Sequence, residues 1–95
     1  MDYKELVNDP RTTIVDVRSQ FEFMAGAIDG SINIPLDEVP NRIEEFRAMT
    51  GNIIICCVSG ARSGQAQAFL QMHGIKEIEN GGSWMDINYL KYKVA

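Results

Sequence analysis

The sequence predicts an α/β fold in three layers, α/β/α, around a central, mostly parallel sheet of about four to five short strands. Apolar, β-branched runs alternate along the chain with segments of helical spacing, and the run at 52–57 (NIIICC) has no polar alternation. A strand of that kind is typical of a parallel sheet covered on both faces. Strands joined through helices imply right-handed crossovers, which place helices on both faces of the sheet.

The predicted elements alternate between helix and strand, beginning and ending with a helix. Helices are predicted at residues 3–8, 20–25, 38–49, 62–73 and 84 onward, and strands at 12–17, 31–34, 52–57 and 75–79. Helix starts are marked by capping residues, because Asp2 is followed by Glu5 and Ser19 by Glu22 at the spacing of a capping box. Ser83 is expected to cap the last helix.

Apolar spacing and glycines indicate the remaining boundaries. Val39, Ile43 and Phe46 recur at helical spacing, so they share one face of the helix that Asp37 begins. Gly74 suits the cap that ends a helix, and the pair at 81–82 is predicted to turn the chain after the last strand.

Composition indicates one domain spanning residues 1–95 and excludes several classes of protein. The chain has 95 residues, 45% of them hydrophobic, and a net charge of −4 with no stripe of Lys or Arg, which argues against a nucleic-acid partner. No apolar run could span a membrane, and the polar N-terminus lacks a signal-peptide pattern, so a cytoplasmic location is expected. Two cysteines and the lone His73 are too few for a zinc site, and no metal or cofactor is predicted.

The clearest candidate for chemistry is Cys57, where a predicted strand ends shortly before a predicted helix. Gly60 permits a tight loop whose N–H groups curl toward the sulfur, and the helix N-terminus adds partial positive charge. Arg62 adds a full charge and is expected to brace the loop by hydrogen-bonding its carbonyls. Such settings favour the thiolate, with a pKa of roughly 3.5–7.5. The alternative is that both cysteines are buried strand residues; for Cys56 we favour this, because neighbouring strand residues point to opposite faces.

Four segments resemble the rhodanese family in order and spacing. The stretch at 57–63 (CVSGARS) resembles its active-site loop, Cys-x-x-Gly-x-Arg-Ser. The stretches at 14–23 (IVDVRSQFEF) and 26–36 (GAIDGSINIPL) are similar to two further family motifs, and residues 80–82 (NGG) with Trp84 are similar to a third. The resemblance covers nearly the whole chain and implies the rhodanese-like fold.

The resemblance implies a sulfurtransferase in which Cys57 is the catalytic nucleophile. It would take a sulfane sulfur from a small sulfur-containing anion such as thiosulfate, or from a persulfide, and become a persulfide itself. It would then pass the sulfur to cyanide, to a thiol or to a protein acceptor. The substrate-binding loop would consist of Val58, Ser59, Gly60, Ala61, Arg62 and Ser63.

Three further residues are implied as structural support. Asp16, Arg18 and Glu22 would form an ion-pair cluster beneath the site, with direct contact to substrate as the alternative. Val58 stands where many family members carry a basic residue, which weakens the expected preference for thiosulfate.

Two other functions stay open at this point. The chain could be a non-catalytic, sulfur-carrier or regulatory module that binds a protein partner. A phosphatase family of similar fold has one more residue between its cysteine and arginine. The four residues between Cys57 and Arg62 form a smaller ring that suits sulfur better than phosphate.

Overall fold

The computed structural model describes residues 2–92. Its elements, in chain order, are α1 (Tyr3–Asn8), β1 (Thr13–Asp16), α2 (Gln20–Ala25), β2 (Ile32–Asn33), a 3₁₀-helix (Leu36–Arg42), α3 (Ile43–Ala48), β3 (Ile53–Cys57), α4 (Ala61–Met72), β4 (Ile78–Ser83) and α5 (Trp84–Leu90). Among residues 2–92, every helix is too short or too polar to cross a lipid bilayer.

The four strands form one sheet in the order β2-β1-β3-β4, and every neighbouring pair is parallel. The predicted α/β class is therefore confirmed, with a fully parallel sheet of four strands. β3 lies in the interior of the sheet and is buried at all five positions, as its unbroken apolar run predicts. The carboxyl ends of the strands share one edge, where Cys56 pairs with Asp16 and Cys57 with Ser83.

Alternate residues of β3 pack into two separate cores, one on each face of the sheet. Ile53, Ile55 and Cys57 pack with side chains of the 3₁₀-helix, α3 and α4. Ile54 and Cys56 pack on the other face with side chains of α1 and α5. This arrangement confirms the three predicted layers, and it directs the two adjacent cysteines to opposite faces.

The predicted helix at 38–49 is divided into two shorter helices. The first part is a 3₁₀-helix that contains Pro40, and Arg42 then leaves helical geometry with φ −127° and ψ 24° before α3 begins. Helical turns begin at Leu36, and an α-helix from there would lack the bond between residue 40 and the carbonyl of Leu36, because proline has no N–H. The face formed by Val39, Ile43 and Phe46 still packs into one core, as predicted.

The last strand begins three residues later than predicted, at Ile78. After α4 the N–H of Gly74 donates to Gln71 O and that of Ile75 donates to Leu70 O, both at 3.1 Å. These two bonds form a Schellman motif, which uses the backbone of Ile75 at the helix end and buries its side chain. The prediction assigns Ile75 to the strand, because hydrophobicity alone does not distinguish a strand residue from one that covers the end of a helix.

The predicted turn at 81–82 is wrong, since both glycines lie within β4. The register with β3 shifts there: Ile55 pairs with Asn80 and Cys56 pairs with Gly82, so Gly81 is the extra residue of a bulge. A Cβ at Gly81 would lie 2.7 Å from Ile54 Cγ2. Glycine is needed at this position because the neighbouring side chains leave no room for another.

Candidate active site

The loop that follows β3 turns back toward the sulfur of Cys57 before α4 begins. Gly60 is the N-cap residue of α4 and adopts a left-handed conformation, with φ 97°. A Cβ on Gly60 would lie 3.3 Å from the Cα of Gly82, so β4 approaches the loop closely at this point. Both the backbone conformation and the close approach favour glycine. The loop therefore bends sharply enough to bring its N–H groups near Cys57.

Hydrogen-bond donors of the loop surround the Cys57 sulfur. The N–H of Gly60 donates to Sγ at 3.0 Å, and Ser63 Oγ lies 3.4 Å from it. Burial raises the pKa of the Cys57 thiol, whereas the Ser63 hydroxyl and the backbone N–H groups of Ser63, Gly60 and Ser59 lower it. The donors outweigh burial and lower the pKa from 9.0 to about 7. Close to neutral pH, a substantial fraction of Cys57 is therefore thiolate.

The neighbouring Cys56 has the opposite properties. Its side chain is fully buried in the core on the other face of the sheet, which confirms the prediction of a core residue. Burial and the nearby carboxylate of Asp16 raise its pKa to about 12. Cys56 is therefore a protonated thiol at neutral pH, and only Cys57 combines a lowered pKa with facing donors.

The side chains of the loop differ in where they lie. Val58, Ser59 and Ala61 are exposed, whereas Ser63 is buried. The loop thus contributes backbone N–H groups and one hydroxyl to the sulfur, and it presents an apolar residue, Val58, to solvent.

Arg62 contacts α2 and not the loop carbonyls, so the predicted bracing contacts are wrong. Its Nη1 and Nη2 donate to the two carboxylate oxygens of Glu22 at 2.7 and 3.0 Å. The hydrogen bond from Arg62 and a second from the N–H of Ser19 lower the pKa of Glu22 to about 2. This bidentate pair ties the first turn of α4 to α2, and it neutralises the charge of Arg62 next to the loop.

The predicted cluster of Asp16, Arg18 and Glu22 forms only in part. Arg18 Nη2 donates to Asp16 Oδ2 at 2.7 Å, and both side chains are buried. Arg18 also donates to the carbonyl of Gly26, and its guanidinium lies 4.5 Å from the centroid of the Trp84 ring. Glu22 contributes only its backbone carbonyl to Arg18, at 3.4 Å, because its carboxylate pairs with Arg62. The Asp16–Arg18 pair therefore supports the end of β1, separately from the pair at the loop.

Asn80 contacts the loop, although the sequence motifs predict no role for it in the site. From β4, its side chain accepts a hydrogen bond from Ser63 Oγ at 2.6 Å and donates one to the carbonyl of Gly60 at 3.0 Å. The available signal was an asparagine before two glycines, a pattern that also fits an ordinary turn. Because Asn80 is far from the loop in sequence, its contacts with Gly60 and Ser63 could not be predicted from spacing along the chain.

A cavity of about 340 Å³ lies beside Arg62. Its lining is mostly apolar, with one charge of each sign: Val17, Ser19, Pro35, Leu36, Asp37 and Arg62. The loop provides a sulfur with a lowered pKa and donors that can stabilise negative charge on it. The cavity reaches this loop at Arg62 and is not lined by Cys57.

Comparisons with known proteins identify the family of this chain. The model of the rhodanese-like domain matches residues 1–86. The thiosulfate sulfurtransferase PspE of Escherichia coli is 35% identical over 80 residues, covering 83% of this chain and 77% of that protein. A tRNA uridine(34) hydroxylase of Pectobacterium carotovorum is 30% identical over 78 residues, which cover 77% of this chain but 22% of the hydroxylase.

A solved structure of similar fold agrees with the sequence matches. The structure described as rhodanese with anions, from E. coli, superposes with a TM-score of 0.69 at 34% identity, covering 79% of this chain and 89% of the other. The match to the domain model and the similarity to PspE together extend over most of the chain. On this evidence the chain belongs to the family of rhodanese-like domains.

Proposed function

We propose that this chain is a thiosulfate sulfurtransferase-like enzyme, which carries a sulfane sulfur as a persulfide on Cys57. The observation that carries the proposal is the contact of Cys57 Sγ with the N–H of Gly60 at 3.0 Å, together with a pKa lowered to about 7. A thiolate at neutral pH is the form that attacks sulfur. The similarity to PspE supports a donor of the thiosulfate class.

The proposed reaction has two displacement steps at sulfur. The Cys57 thiolate attacks the outer sulfur of thiosulfate, a new S–S bond forms, and sulfite leaves with the electron pair of the broken bond. The outer sulfur of the persulfide keeps one negative charge. A cyanide ion or a thiolate then attacks that sulfur and restores the Cys57 thiolate, so no external oxidant or reductant is required. The loop N–H groups stabilise the anionic sulfur, in the manner of an oxyanion hole.

The charges around the loop broaden the proposed range of donors. Arg62 is already paired with Glu22, and Val58 is 47% exposed without a charge. The local attraction for a dianion is therefore smaller than a free arginine would provide. We therefore propose small organic persulfides and protein persulfides as donors beside thiosulfate, and a protein thiol as acceptor, because weaker local attraction favours a dianion less.

Mass spectrometry of the intact protein tests the proposal. After incubation with thiosulfate or an organic persulfide, we expect a gain of one sulfur mass that a reductant removes. The gain should be absent in Cys57→Ala and retained in Cys56→Ala. If no donor, mercaptopyruvate included, adds sulfur to the wild-type protein, the proposal is wrong.

The same preparation separates the alternatives. Formation of the persulfide with negligible turnover, together with a tight protein partner, would indicate a carrier or regulatory module. Hydrolysis of an aryl phosphate that disappears in Cys57→Ser would indicate a phosphatase. The pairing of Arg62 with Glu22 disfavours the phosphatase, because it occupies guanidinium donors that a phosphate would need.

A further inference from the structure

The side chain of Asn80 joins two parts of the loop to β4. Its Oδ1 accepts from Ser63 Oγ at 2.6 Å and from the N–H of Gly82 at 3.0 Å, and its Nδ2 donates to the carbonyl of Gly60 at 3.0 Å. The N–H of Gly82 can only donate and the carbonyl of Gly60 can only accept. These two contacts fix the orientation of the amide, so the atom that faces Ser63 is the oxygen.

Ser63 has a single hydroxyl proton and two acceptors for it. Asn80 Oδ1 lies 2.6 Å from Ser63 Oγ, whereas Cys57 Sγ lies 3.4 Å away. Because an amide oxygen cannot donate, the contact at 2.6 Å requires the proton of Ser63. The hydroxyl then presents a lone pair to the sulfur. A lone pair suits a protonated thiol, which can donate to it, but it does not stabilise a thiolate.

From this geometry we infer that Asn80 is a positioning residue that holds the hydroxyl proton of Ser63 away from Cys57 until the sulfur becomes negatively charged. When Cys57 loses its proton to solvent, the Ser63 hydroxyl rotates and donates to Sγ. Asn80 Oδ1 then retains the bond from the N–H of Gly82. No covalent bond other than S–H is broken, and Ser63 keeps its own proton throughout.

The inference predicts that Asn80 competes with the Cys57 thiolate for one hydrogen bond. Without the acceptor at residue 80, the hydroxyl of Ser63 is free to donate to Sγ at all times. Asn80→Ala should therefore favour the thiolate, even though it also removes a contact that holds Gly60. A residue with a purely structural role would have the opposite effect, because a looser loop loses donors to the sulfur. The sign of the effect distinguishes the two roles.

The charged groups around Cys57 stay the same in this comparison. They are the Arg62–Glu22 pair from α4 and α2, and the Asp16–Arg18 pair at the end of β1. The adjacent thiol of Cys56 is removed by working in a Cys56→Ala background. A difference between variants then arises from Asn80 and Ser63.

The test is a titration of thiolate absorbance, taken as the difference between proteins with and without Cys57. We expect Asn80→Ala to move the midpoint down by about half to one pH unit, the equivalent of one ordinary hydrogen bond. Asn80→Asp, which keeps an acceptor facing Ser63 and adds negative charge, should move it up. In a Ser63→Ala background, the downward shift with Asn80→Ala should disappear.

The inference rests on Cys57 being the reacting group of the proposed function, but the titration needs no sulfur donor. A failure of persulfide formation would therefore leave this result intact, and the reverse also holds. An unchanged or raised midpoint in Asn80→Ala would overturn the inference. So would a downward shift that persists in full without the Ser63 hydroxyl. If Asn80→Ala does not fold, Asn80→Asp is compared with and without the Ser63 hydroxyl. A rise in the midpoint that is larger with the hydroxyl supports the inference, whereas an equal rise comes from charge alone and overturns it.

Discussion

At the scale of single residues, the two adjacent cysteines show how strongly local surroundings control a thiol. Cys56 and Cys57 are neighbours in one strand, yet their pKa values are moved in opposite directions, to about 12 and about 7. Both side chains are buried, so burial alone does not explain the difference. Cys57 is the one at the strand end, where loop N–H groups can reach its sulfur.

The lowered pKa of Cys57 predicts how stability depends on pH. The folded-state value, about 7, lies below the ordinary value of 9.0, so the unfolded chain binds more protons between these values. The free energy of unfolding should rise by about 2 kcal/mol over this window and be lost again as the pH falls through the folded-state value. Urea unfolding at a series of pH values measures it, with Cys57→Ser as control. An equal rise in that variant would contradict the assignment.

The pairing of Glu22 with Arg62 predicts the response to anionic donors. Glu22→Gln keeps the shape of the capping box but removes the charge that neutralises Arg62. We expect the KM for thiosulfate to fall severalfold at low ionic strength, and the difference to shrink with added salt. The matched control is Glu44→Gln, which removes an exposed carboxylate paired with Arg47 on α3. Equal effects of the two variants would show that overall charge is responsible.

At the scale of secondary-structure elements, the junction between β3 and α4 depends on Gly60. Gly60→Ala should destabilise the fold by about 1–2 kcal/mol, because a side chain strains the left-handed conformation and approaches Gly82. Persulfide formation should slow as well, because the N–H that faces Cys57 would be displaced. Chemical unfolding and the rate of sulfur transfer measure the two effects.

A second glycine provides the control for that prediction. Gly30 has a similar left-handed φ of 84°, and a Cβ there would meet nothing within 4 Å. Gly30→Ala should therefore lower stability through its backbone conformation alone and leave sulfur transfer unchanged. If both variants slow transfer equally, the specific role of the Gly60 N–H is wrong.

The elements that were predictable from sequence are those with local determinants. The capping box of Ser19 and Glu22 fixes the start of α2, and the unbroken apolar run fixes β3. The predicted boundaries of helices and strands are wrong where one residue type is compatible with two different structural roles. Pro40 is compatible with helical turns but divides the helix, and Ile75 is apolar because it covers a helix end. Contacts with residues distant in sequence decide between these roles, and the spacing of residues along the chain gives no information about such contacts.

In the candidate site, too, the local features could be predicted from sequence and the non-local contacts could not. The loop from Cys57 to Ser63 is continuous in sequence, so its tight turn toward the sulfur could be predicted. The partners of its polar side chains could not, since Arg62 meets Glu22 across 40 positions and Ser63 meets Asn80 across 17. These partners come together only because β1, β3 and β4 end at the same edge of the sheet.

At the scale of the whole molecule, the bulge in β4 joins segments from the beginning, middle and end of the chain. A Cβ on Gly81 would lie 3.0 Å from the hydroxyl oxygen of Tyr3 in α1 and 2.7 Å from Ile54 Cγ2 in β3, and it would also meet Cδ1 of Ile87 in α5. Asn8 of α1 adds a second link, because its side chain donates to the carbonyl of Leu90 at 2.9 Å. The layer formed by α1 and α5 thus packs onto the sheet where glycine leaves space.

This convergence predicts that Gly81→Ala destabilises the molecule by overpacking, at a cost of about 1–3 kcal/mol. Ile87→Val removes the Cδ1 atom that the new methyl group meets, so the double variant should lose less stability than the sum of the two single variants. The contact with Ile54 remains, which limits the rescue to a part of the loss. Urea unfolding of the four proteins in this cycle measures the coupling. Strictly additive losses would mean that the new methyl group is not coupled to Ile87 and that the packing of α5 does not require glycine there.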